Sequence, residues 1–115
     1  MIKAERLYNV TAENNSWKIL VDGIWPRGVK KEDPRIDEWK KEVAPSKELR
    51  KWFKSGQGSW EEFKKLYEKE LEEKADLLNE IKEFENQHKE ILFLYTVKDT
   101  EHNHARILKE FLDNK

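Results

Sequence analysis

The spacing of apolar positions changes several times along the chain, and each change marks an element. Residues 2–8 alternate imperfectly between apolar and polar, which predicts a first strand. Residues 17–21 end almost wholly apolar, as a strand covered on both faces does. Asp22 and Gly23 close that strand. The loop over 24–29 contains Pro26, which fixes its own φ and keeps Trp25 extended, so this loop is stiffer than most.

Residues 37–43 predict a short helical turn that carries Trp39 inward. Pro45 breaks it, and Ser46 is the N-cap of a helix bearing Leu49, Trp52 and Phe53. Ser59 and Glu62 have capping-box spacing, and the helix they open places Trp60, Phe63, Tyr67 and Leu71 on one stripe. The stripe shifts near Ala75 and Asp76. A break there separates a further helical segment lined by Leu77, Leu78, Ile81 and Phe84.

Residues 91–97 are continuously apolar, aromatic and β-branched, the pattern of a central parallel strand. A turn over 98–100 follows, with Asp99 or Thr100 as the cap of a last helix. That helix sends Ala105, Ile107, Leu108, Phe111 and Leu112 to the core. The whole pattern predicts an α/β fold: a small, mostly parallel central sheet flanked by helices, forming one compact domain over 1–115.

Composition narrows the reading further. Charged residues make up 41% of the chain, far above the usual quarter, yet they nearly cancel at a net −1. Five Trp, five Phe and three Tyr supply enough large rings to anchor a core, so disorder is not expected. With no cysteine, disulfides, thiolate catalysis and Cys-based metal sites are excluded. The start of the chain has no apolar run of signal-peptide length, and nothing approaches about 18 consecutive apolar residues. A cytoplasmic protein without a membrane segment is expected. A pI of about 6.3 gives no global basic field for nucleic acid, which is therefore not an expected partner.

The candidate chemistry lies after the two best strands. In an open parallel sheet, ligands sit at the carboxyl ends of the strands. If the strands over 17–21 and 91–97 lie parallel and close together, the Asp22–Arg27 loop and the His102–His104 segment open on the same edge. Arg27, in a stiff Pro-Arg-Gly turn, suits bidentate recognition of phosphate or carboxylate, or else forms a structural salt bridge with Asp22. Asp22 is a candidate general base, or the clamp that orients Arg27. Trp25 is core or a stacking wall. Tyr95 ends the central strand, where its hydroxyl could reach the same edge.

Placed in the first turn of the last helix, His102 and Asn103 are the better candidates for ligand contact, His102 as an acid–base group. His104, one turn before Leu108, is their buried support. On a helix, two histidines in a His-x-His pattern point about 200° apart, so no metal site is expected unless the segment is non-helical. Gly56 and Gly58 lack the third glycine and the preceding strand of a dinucleotide fingerprint, and no cofactor is implied.

Six stretches, in order along the chain, carry a family resemblance. They are Leu20-Val21-Asp22, Trp25-Pro26-Arg27-Gly28-Val29, Glu38-Trp39, Ala44-Pro45-Ser46, Leu49-Arg50-Lys51-Trp52-Phe53 and His102-Asn103-His104-Ala105. Together they resemble the YeaO-like bacterial family, domain of unknown function 488. The resemblance covers nearly the whole chain. It implies a compact α/β domain and implies no activity. One departure stands out: the family pattern usually has a basic residue directly after the Asp, where this chain has Gly23. If that basic residue helps to hold an anion, this protein holds it less well or relies on Arg27 and Arg50 instead.

The sequence therefore names no reaction and no oligomeric state. Two readings remain. In one, the chain binds, and could act on, a small anionic molecule in a polar cleft between the Asp22–Gly28 loop and the start of the last helix. In the other, it is a non-catalytic interaction module that meets a protein partner through an aromatic surface.

Overall fold

In a computed structural model, which describes residues 1–13, 15–88 and 90–114, the expected α/β architecture is present. Strands β1 (Ile2–Arg6), β2 (Trp17–Leu20), β3 (Glu38–Trp39) and β4 (Ile91–Tyr95) form one sheet in the order β1-β4-β2-β3. Every pairing is parallel. The continuously apolar β4 lies in the middle, with Phe93 level with Ala4 on one side and with Ile19 on the other.

Side chains alternate across the sheet, as the two-residue period of a strand requires. Ile19, Val21, Ile91, Phe93 and Tyr95 join the larger core, together with residues of helices α1 (Lys47–Lys54), α2 (Trp60–Glu72), α3 (Ala75–His88) and α4 (His104–Asp113). Leu20, Leu92 and Leu94 point the other way. There they meet Leu7 and, from the long connection between β2 and β3, Trp25, Val29 and Ile36. The helices thus cover one face of the sheet and loops cover the other.

The local signals act as their chemistry predicts. Ser46 Oγ accepts from Leu49 N at the start of α1. Ser59 and Glu62 exchange both bonds of a capping box at the start of α2. The helical stripe breaks between Glu72 and Ala75.

Two expectations are corrected. Residues 37–43 are not one helical turn. Glu38 and Trp39 instead pair with Ile19 and Leu20 as an edge strand, and only Lys41–Val43 is helical, of the 3₁₀ type. Asp37 starts the strand by accepting from Lys18 N through its carboxylate. Trp39 does not turn inward. It is 37% exposed, and its indole N–H donates to Asp22 O.

The last helix begins later than Asp99 or Thr100 would start it. Its N-cap is Asn103, whose Oδ1 accepts from Arg106 N at 3.0 Å. Asp99 organises a separate turn, accepting from Glu101 N and His102 N. His102 therefore precedes the helix, and His104 is its first residue.

Candidate functional site

Parallel strands place their carboxyl ends on one edge, and β2 and β4 are neighbours. The residues that follow them, Asp22 and Thr96, consequently meet: Thr96 Oγ1 donates to Asp22 Oδ2 at 2.6 Å. Above this junction lies a cleft of about 430 Å³. The loop after β2 lines it with Asp22, Gly23, Ile24, Trp25, Pro26 and Arg27. The segment entering α4 contributes His102, Asn103 and His104. Arg50, Phe53 and Lys54 of α1 and Trp60 and Phe63 of α2 complete most of the wall. The volume falls within the range of small-molecule pockets.

Of the residues singled out from sequence, Asp22, Trp25, Arg27, Arg50, His102, Asn103 and His104 all line this cleft. Tyr95 does not. It is 2% exposed and belongs to the core under the sheet edge. Burial is the main reason its phenol is raised above its ordinary value.

The histidines have different surroundings. His104 Nε2 lies 3.1 Å from Val21 O and 3.1 Å from Asp22 Oδ1. Both neighbours are acceptors, so Nε2 is the nitrogen that carries a proton toward them. The bond runs to Val21 O. Asp22 Oδ1 stands beside the same nitrogen but forms no aligned hydrogen bond. Tyr67 packs its ring edge-on to His104, with the centroids 6.4 Å apart. The Tyr67 phenol is fully buried and donates to Val43 O. Burial, helped by the charges of Glu70 and Asp22, holds its ionisation well above the ordinary value.

His102 is exposed and stacks on Trp60 at 5.0 Å and 24°. Trp60 also stacks on Phe63 at 5.4 Å and 23°. The Asp99 turn fixes the backbone under His102. Asp99 is held below its ordinary value by accepting first from His102 N–H and then from Glu101 N–H. Asn103 is committed to structure: besides capping α4, its Nδ2 donates to Asp99 O.

The two arginines also part. Arg27 sits exposed at the tip of a turn closed by Val29 N and Pro26 O. Gly28 follows it at φ 80°, a left-handed value that glycine adopts without strain. Arg50 lies deeper, with its guanidinium packed against Gly23. A Cβ at position 23 would come within 3.0 Å of Arg50 Cζ and Nη1. Glycine at 23 therefore makes room for the charge of Arg50. Among the described residues, Arg50 Nε is buried without a hydrogen-bond partner, as is Asp22 Oδ1.

In the sequence Trp60, Phe63 and Phe53 stand only as apolar positions of helices, and nothing there assigns them or Thr96 to the site. Their presence here depends on the approach of α1 and α2 to the sheet edge, which periodicity does not encode. Thr96 had a usable signal, a hydroxyl directly after a central parallel strand. No group of three or more metal-ligating side chains occurs among the described residues. Nor is any described helix long and apolar enough to cross a membrane.

Comparison with known proteins follows the same outline. A family model described as "Inactive DUF488-N3 subclade" matches residues 1–115. The chain is 37% identical over 114 residues to "Uncharacterized protein YeaO" of Escherichia coli strain K12, covering 96% of each chain. It is 40% identical over 76 residues to "Uncharacterized protein Mb3100c" of Mycobacterium bovis, covering 66% of this chain and 64% of that protein. No solved structure gives a significant match.

Proposed function

The chain belongs to the YeaO-like DUF488 family, and from that premise we propose that its cleft binds a small anionic molecule, with Arg50 as the principal cation. The observation that carries this reading is Arg50 Nε, buried without a hydrogen-bond partner, in the same cleft as Asp22 Oδ1, which has no aligned hydrogen bond and only the off-axis neighbour His104 Nε2 at 3.1 Å. An unsatisfied buried polar group costs about 1–3 kcal/mol, more when charged, and such groups are retained where a ligand completes them. Arg27 and Lys54 add positive charge around the cleft. The description of the matched family as an inactive subclade suits recognition without turnover.

The test is calorimetric titration with inorganic phosphate and benzoate at low ionic strength. Arg50→Met should weaken both by about tenfold or more, the scale of a charge-assisted bond in a partly buried site. Arg27→Met, at an exposed position, should weaken them less. Equal binding by wild type and Arg50→Met would refute the proposal.

The interaction-module reading has one observation in its favour. Ile24 is 70% exposed and Val97 45%, and both lie on the cleft wall. A partner chain covering the cleft would bury them. Light scattering of wild type and of an Ile24→Glu, Val97→Glu double variant tests whether a self-association of this kind exists.

A further inference from the structure

We infer that the anion recognised here carries a flat aromatic ring, which stacks on His102. This rests on the anion-binding reading above and names its ligand class. Trp60 is shared between two stacked partners, Phe63 on one hand and His102 on the other. The run of rings ends on an exposed imidazole that lines the cleft. An exposed ring stacked on a tryptophan at the wall of a cleft is a platform for one more ring. The backbone beneath it is already fixed by Asp99, so little ordering is needed when a ligand arrives.

Trp25, also on the cleft wall, is tied down by two contacts. Its indole N–H donates to Val29 O at 2.8 Å, and its ring meets Trp39 edge-on. The indole thus offers the cleft an apolar ring with its polar tip already engaged. Arg50 and Asp22 then supply one charged donor and one charged acceptor. A ligand that matches all of these presents a planar ring, an anionic group and an N–H or O–H. Hydroxy- or amino-substituted aromatic carboxylates and nucleoside phosphates share that chemistry, and the experiment separates them.

Matched probes are titrated into the full chain. 4-Hydroxybenzoate is compared with 4-hydroxycyclohexanecarboxylate, which has the same charge, the same hydroxyl and nearly the same size but no flat ring. Adenosine 5′-monophosphate is compared with ribose 5-phosphate. The planar member of at least one pair should bind about tenfold tighter, as expected for one stacking contact. The pair with the preference identifies the source.

His102→Leu should abolish that preference, bringing the planar probe's affinity down to that of its ring-free counterpart. His102→Phe should restore it, because stacking and not the imidazole nitrogens carries the effect. Two outcomes overturn the inference: no ring preference in either pair, or a preference that survives His102→Leu. In either case, continued dependence of binding on Arg50 would leave the anion reading intact. Loss of that dependence would remove both.

Discussion

Thr96 donates its hydroxyl hydrogen to Asp22 Oδ2 over 2.6 Å, joining the carboxyl ends of the two central strands across 74 positions of sequence. This one bond fixes the carboxylate that faces His104. Thr96→Val keeps the shape and removes the donor. It should lower stability by about 1.5–3 kcal/mol, the scale of a hydrogen bond to a charged group, while Thr96→Ser should recover most of the loss. Urea unfolding midpoints at constant m-value check both.

The fold was legible where periodicity and local chemistry agree. The apolar run of β4, the Ser46 cap and the Ser59–Glu62 box each follow from a few neighbouring residues. β3 was not legible, because two residues carry no period. Its pairing depends on Asp37 and Lys18, which only the fold brings together. The start of α4 was misplaced for a related reason. Asp99 and Asn103 are both good capping residues, and sequence does not say that the first closes a turn while the second caps the helix. At the site, the position of His104 beside Ala105 and Leu108 marked it as inward-facing. That inward meant toward Asp22 depends on the adjacency of β2 and β4.

Gly23 tests the division of labour between positions 23 and 50. A Cβ at 23 meets the far end of a flexible side chain, so Gly23→Ala should shift Arg50 at small cost, within about 0.5 kcal/mol of wild-type stability. Anion affinity should nevertheless fall severalfold. Gly23→Lys, which puts a basic residue directly after Asp22, should recover it by supplying the charge from position 23 itself. Phosphate titration of the two variants beside wild type decides the matter.

Asn103 supports the site from below. Asn103→Ala removes the acceptor for Arg106 N and the donor to Asp99 O. A lost cap costs about 0.5–2 kcal/mol. The Asp99 turn beneath His102 should loosen as well, so amide exchange should quicken at 101 and 102. Asn103→Asp keeps the acceptor and should retain most of the stability, but not the bond to Asp99 O.

Tyr67 predicts the alkaline behaviour. Burial raises its folded value above the ordinary 10.0, with Glu70 and Asp22 adding to the effect. A raised value means that the folded state holds its proton more tightly than the unfolded state. The stability this contributes is complete below pH 10.0 and is lost as pH rises toward the folded value. Phenolate absorbance should therefore show Tyr67 as the last tyrosine to ionise, only with global unfolding and above Tyr95, whose phenol burial raises less. Tyr67→Phe should remove that phase. It should also destabilise the fold at neutral pH by about 1–3 kcal/mol, because Val43 O is left without its donor.

Arg50 separates a binding role from a structural one. A guanidinium held partly buried, with no ion pair to any described residue, contributes little to the fold and carries a desolvation penalty. Methionine has similar reach and no charge. If Arg50 is retained for a ligand, Arg50→Met should be as stable as wild type or more stable, even as anion binding is lost. A structural role predicts the opposite sign, a clear fall in the unfolding midpoint. Measuring that midpoint with and without saturating phosphate adds an internal control. Phosphate should raise the wild-type midpoint through binding to the native state and leave that of Arg50→Met almost where it was.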